Sequence, residues 1–132
     1  MGIIRTKIEL RNPRLPELSP IEVNALVDTG AHMLCLPEHI VVQLKLEELQ
    51  QREITTADGR KHSVPYVGPV RTTFGNRDSY CGALVLGDEV LLGAIPMEDM
   101  DLVINPLRQT VTVNPESPNI PMALAKGLKS SS

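Results

Sequence analysis

From Ile3 to Arg11 the chain alternates, with Ile4, Thr6, Ile8 and Leu10 on one side and Arg5, Lys7, Glu9 and Arg11 on the other. Successive side chains of a strand point to opposite faces, so this stretch predicts a half-buried strand. Asn12 to Pro20 holds three prolines in nine residues and predicts a loop. Ile21 to Val27 predicts a second strand and His32 to Leu36 a third, with Asp28-Thr29-Gly30-Ala31 between them. Pro37 suits the first position of a helix and Glu38 its first turn. Ile40, Val41 and Leu44 give that helix one apolar face, and it should end near Leu46.

The polar stretch Glu47 to Arg52 leads into a hairpin whose two-residue turn is Asp58-Gly59. Ser63 to Val67 returns from the tip, and Gly68-Pro69 then bends the chain. Short strands follow at Val70 to Phe74, Tyr80 to Leu86 and Val90 to Leu92, with turns at Gly75-Asn76 and Gly87-Asp88. Ile95 to Met100 predicts a turn or two of helix, with Pro96 at its start. Leu102 to Ile104 and Thr110 to Val113 should complete the sheet around an Asn105-Pro106 turn. Asn114 to Pro121 reads as extended, Met122 to Leu128 as a weak helix, and Ser130 to Ser132 as disordered. So many short strands at turn-rich spacing predict an all-β barrel or sandwich. No internal repeat is visible.

Composition narrows the chemistry. A length of 132 residues suits one domain, and a hydrophobic fraction of 42% suffices for a core built from Leu, Val and Ile. The formal charge of -3 leaves no basic footprint for nucleic acid, and Tyr66, Phe74 and Tyr80 are too few to stack bases. No apolar run approaches the ~20 residues of a membrane span, and the amino terminus lacks a signal segment. Cys35 and Cys81 show no CxxC or paired-His spacing for zinc and read as buried free thiols of a cytoplasmic protein. No metal and no cofactor are expected.

The stretch with chemistry is Ala25-Leu-Val-Asp28-Thr29-Gly30-Ala31. An apolar strand that ends in a carboxylate, a hydroxyl and a glycine buries a charge at a cost unless that carboxylate is bonded or shares a proton. As three residues alone, Asp-Thr-Gly is an ordinary turn. In its longer context it resembles the active-site loop of retropepsin-like aspartic proteases. Thr56-Ala57-Asp58-Gly59-Arg60 is placed like that family's flap, and Val90-Leu91-Leu92-Gly93 is similar to the element that closes its fold beside the active site. The resemblance covers roughly Ile3 to Val113. It implies a closed β-barrel with a flap hairpin and one or two short helices, one lobe per chain. Residues 1–113 would form the protease domain and 114–132 a proline-containing, partly disordered C-terminal extension.

Peptide hydrolysis by this route needs two carboxylates sharing one proton, one to take a proton from water and one to give a proton to the substrate. No second Asp-Thr-Gly occurs, because Asp58-Gly59 and Asp88 lack the surrounding pattern. The resemblance therefore implies a homodimer in which each chain contributes Asp28. It gives Thr29 a hydroxyl bond across the dimer axis and lets Gly30 receive an extended peptide close to the dyad. Ala31, Ala57, Asp58, Gly59, Leu92 and Gly93 would line the substrate. Two departures stand out. Retroviral members pair an acidic residue after Asp-Thr-Gly-Ala with an Arg after the later Gly, where this chain has His32 and Ala94. Its hairpin tip also lacks their glycine-rich sequence and carries Arg60 and Lys61, read as solvated charges. The chain thus looks like a soluble cellular relative.

Other residues offer less. His32, His39 and His62 are scattered and read as surface or half-buried positions, and Cys35 falls within a strand rather than beside a plausible histidine base. Met97, Met100 and Met122 read as apolar fill, and Glu98, Asp99 and Asp101 as charges near a helix start. The competing class is a dimerisation or peptide-binding module that keeps the fold with little or no activity, its groove suited to an extended peptide by strand addition.

Overall fold

Nine strands and two short helices follow one another along residues 3–123, the part of the chain that the computed structural model describes. Strands β1 (Arg5–Arg11) and β2 (Ile21–Val27) pair antiparallel, with Arg5 opposite Leu26 and Leu10 opposite Ile21. The alternation of β1 sends Ile8 and Leu10 into the core. Strand β3 (Leu34–Leu36) is wholly buried and leads into helix α1 (Glu38–Gln43). Strands β4 (Glu47–Thr55) and β5 (Lys61–Phe74) form the long hairpin, and β5 turns back into β6 (Arg77–Val85). Strand β7 (Leu91–Leu92), helix α2 (Ala94–Asp99) and the hairpin β8 (Leu102–Asn105) with β9 (Thr110–Val113) follow.

The strand order is β1-β2-β7-β3-β6-β5-β4, and a further β1–β5 pairing closes the first six into a barrel. Closure leaves those strands without a free edge. Strand β7 lies between β2 and β3, parallel to the first and antiparallel to the second. Ile8, Leu10, Leu34, Leu36, Val70, Leu92 and Met100 fill the interior.

Several boundaries differ from those the sequence predicts. β3 starts at Leu34 rather than His32, because the Ala31 and His32 carbonyls accept from Ala94 and Ile95 instead of from a strand (both 2.8 Å). Helix α1 has Pro37 as its N-cap and ends at Gln43, where Lys45 takes a left-handed φ of 53°. Buried Asn12 donates to the Leu44 and Lys45 carbonyls at 2.9 and 3.2 Å, satisfying groups that a helix end leaves open. Glu47 to Arg52 belongs to β4, whose first five residues are exposed whichever face they take, so no alternation marks it.

The hairpin tip is a three-residue loop, Ala57-Asp58-Gly59, closed by the Thr56 N–H on the Arg60 carbonyl (2.9 Å). Gly59 supplies the positive φ of 82° that such a loop requires. β5 continues through Gly68-Pro69, where its pairing with β6 shifts. β6 starts at Arg77 rather than Tyr80, hidden because its inward positions are polar: Arg77 and Ser79 are fully buried. Cys35 is buried, Cys81 is half-buried, and both are free thiols. Nearly all of the helix expected over Met122 to Leu128, and the disorder expected at Ser130 to Ser132, lie outside the described residues.

Candidate active site

Asp28 stands at the end of β2, and the backbone beneath it is fixed from two sides. The Leu26 and Asp28 N–H groups donate to the Val90 and Leu92 carbonyls at 2.9 and 3.1 Å, while the Val27 N–H donates to Ile4 (2.9 Å). The Ala31 N–H closes the turn on the Asp28 carbonyl at 3.2 Å. The carboxylate itself accepts from the Gly30 N–H at 2.9 Å. A Cβ on Gly30 would lie 3.1 Å from Asp28 Oδ1, so the glycine answers the approach of the carboxylate. Asp28, Thr29 and Gly30 are exposed in the single chain, which corrects the expectation of a carboxylate buried within it.

Gly93 is required for a different reason. A Cβ there would meet the Met33 carbonyl at 2.4 Å, so β7 can slip under the loop only with a glycine after it. The Leu92 side chain is fully buried, so its share in the site is the carbonyl that holds Asp28. Ala57, Asp58 and Gly59 sit together at the exposed hairpin tip. Asp58 is turned into its own loop, accepting from Thr56 Oγ1 (2.5 Å) and the Arg60 N–H (3.0 Å). Those bonds hold its carboxyl below the usual range.

The surroundings of the loop were not legible as a site. Leu91 pairs with Leu26 and Cys35, Cys35 with Leu84, and Leu84 with Tyr66. Leu91, Cys35, Leu84 and Tyr66 form, with Val64, Ile54 and Met33, a second apolar cluster on the face that Leu26 and Asp28 share. Burial, and then the charge of Asp28, push the Cys35 thiol pKa up, so the thiol stays protonated. Two hollows flank the loop itself. One of about 320 Å³ is lined by Ile3, Ile4, Leu26, Val27, Asp28, Thr29 and Ile104. The other, about 280 Å³, is lined by Thr29, Ala94, Met97, Glu98, Leu102 and Ile104.

Among the described residues, no three His, Cys, Asp or Glu side chains come together to hold a metal. Among them, too, no helix is long and apolar enough to cross a membrane. Asp101, just after α2, has a use that its place in the sequence does not announce. Asp101 accepts from Asn114 Nδ2 (3.2 Å), the Ser117 hydroxyl and the Met122 N–H (2.9 Å), and its carboxyl is held below the usual range, first by the Ser117 bond. Buried Arg77 donates to the Ser117 carbonyl, and Asn76 donates to that of Pro118 (2.9 Å). Residues 114–122 are thus fastened along the barrel.

A closed barrel with an Asp-Thr-Gly loop on one strand, a Leu-Leu-Gly strand threaded beneath it and a long hairpin on the same face defines one lobe of a retropepsin-like fold. The aspartyl protease family model matches residues 19–119, and the chain belongs to that family. The solved structure of EIAV protease, complexed with the inhibitor HBY-793, is similar at 20% identity and a TM-score of 0.54. That match covers 74% of this chain and 88% of the viral one. The solution structure of simian foamy virus (mac) protease matches 70% of this chain and 91% of its own, with 20% identity and a TM-score of 0.44. No curated protein matches the sequence.

Proposed function

We propose that this chain is an aspartic endopeptidase whose catalytic pair is made of Asp28 from two copies. One observation carries the proposal: a single Asp-Thr-Gly carboxylate, fixed by backbone bonds, stands exposed between two largely apolar hollows. A second copy placed about a twofold axis at Thr29 would cover both hollows and bring its own Asp28 to the first. Ile3 is 72% exposed at the rim and Ile104 lines both hollows, which suits a surface made to be covered.

In the pair, two carboxylates in contact hold one proton between them. The ionised member takes a proton from a water lying between them, and the hydroxide so formed attacks the scissile carbonyl. The protonated member gives its proton to the carbonyl oxygen, and collapse of the tetrahedral intermediate passes a proton to the leaving amine. The Gly30 N–H bond to Asp28 Oδ1 aims the carboxylate. The β4–β5 hairpin acts as a flap that covers an extended peptide and excludes water, with Ala57, Asp58 and Gly59 at its tip. Free Cys35 and Cys81 support a reducing, cytoplasmic location.

The test is digestion of a diverse peptide pool by the wild-type chain and Asp28→Asn, alongside sedimentation of both. Cleavage by the wild type alone, from a dimer, is the expected result. Peptides retained by both proteins and cut by neither would instead establish a binding module.

A further inference from the structure

We propose that Arg52 and Tyr66 form an outer subsite that takes an acidic side chain of the bound peptide. The proposal rests on the peptidase reading above and adds a substrate class to it. Arg52 lies opposite Val64, Tyr66 opposite Leu84, Leu84 beside Cys35, and Cys35 beside Leu91, which neighbours Leu26 two residues before Asp28. The period of two puts all of these side chains on one face. Asp28 and Arg52 therefore stand at opposite ends of one apolar strip.

The guanidinium of Arg52 is held in place. Its central carbon lies 4.2 Å from the centroid of the Tyr66 ring. The ring lies against Gly82, where a Cβ would come within 2.1 Å of a ring carbon, so only glycine lets it seat there. Arg5, Arg11, Arg14, Arg60 and Arg71 each face a carboxylate within ion-pair distance. Half-buried Arg52 faces none among the described residues, and no described acceptor takes its N–H groups. A planar fork of donors, stacked on a ring and left unused, matches a carboxylate in two-pronged contact.

From Leu26 to Tyr66 the face crosses four strand spacings of about 4.8 Å, or roughly 19 Å along a curved surface. An extended peptide rises about 3.3 Å per residue, which sets the acidic residue about five or six positions from the bond cut.

The test uses matched peptides carrying Glu, Gln or Lys at each of those positions, cut by wild type, Arg52→Gln and Arg52→Glu, with their binding to Asp28→Asn measured alongside. The wild type should favour Glu at one position by about tenfold in kcat/KM, as a charge-assisted contact warrants. Arg52→Gln should lose that preference, and Arg52→Glu should favour a Lys peptide there. A merely structural role would lower all peptides alike and keep the Glu-to-Gln ratio of the wild type, which would overturn the subsite. Cleavage by the wild type without any such preference would overturn it while leaving the peptidase intact. If the wild type cuts no peptide and Asp28→Asn binds none, the peptidase reading fails and the subsite fails with it.

Discussion

At Cys35 the burial of the thiol and the charge of Asp28 act in the same direction, both against the thiolate. Asp28→Asn removes the second influence and leaves the first, so alkylation of Cys35 by iodoacetamide at pH 8 should quicken modestly in the variant. An unchanged rate would separate the two groups electrostatically. Gly93→Ala is the sharper structural test. Its methyl meets backbone rather than a movable side chain, 2.4 Å from the Met33 carbonyl, so about 1–3 kcal/mol should be lost in chemical denaturation. A smaller loss would mean that the loop above β7 can shift at little cost. Thr29→Ala, by contrast, should leave the fold of the single chain alone, because Thr29 is exposed in it, and should weaken only dimerisation. Thr29→Ser should be much milder.

The elements show what the sequence could and could not tell. Alternation in β1 and the apolar run of β2 were legible because each packs on a core whose sidedness appears in the residues. The first half of β4 was not, since neither face meets the core and its residues are polar throughout. The start of β6 was hidden by a buried arginine and a buried serine. Asp28, Thr29 and Gly30 were legible from an order of residue types, but Leu91, Cys35, Leu84 and Tyr66 meet only through strand register, which no local pattern announces. The ties of Asp101 were not legible either, because its partners lie 13 to 21 residues downstream.

That fastening makes a prediction at the same scale. Truncation after Val113 removes the bond from buried Arg77 to Ser117 and should cost about 1.5–3 kcal/mol, read as a lower midpoint in urea. Acid should loosen the same segment. Because the folded state holds the Asp101 carboxyl below its usual range, its support is present above about pH 4 and is lost as pH falls through the depressed value. Limited proteolysis should therefore cut after Val113 more readily near pH 3 than at pH 7, with Asp101→Asn cut readily at both.

At the scale of the whole molecule, everything turns on one carboxylate per chain. The rate of peptide cleavage should fall as rising pH strips the last shared proton from the pair, and a profile still climbing into alkaline pH would point to another nucleophile. Mixing tests the pairing more directly. Wild-type chains are allowed to exchange with increasing Asp28→Asn chains at fixed total concentration, and cleavage is measured against the wild-type fraction. If each active pair needs an Asp28 from both chains, activity follows the square of that fraction, about a quarter at an equal mixture. Activity that falls in simple proportion, to about half, would mean that each chain works alone and would contradict the shared pair.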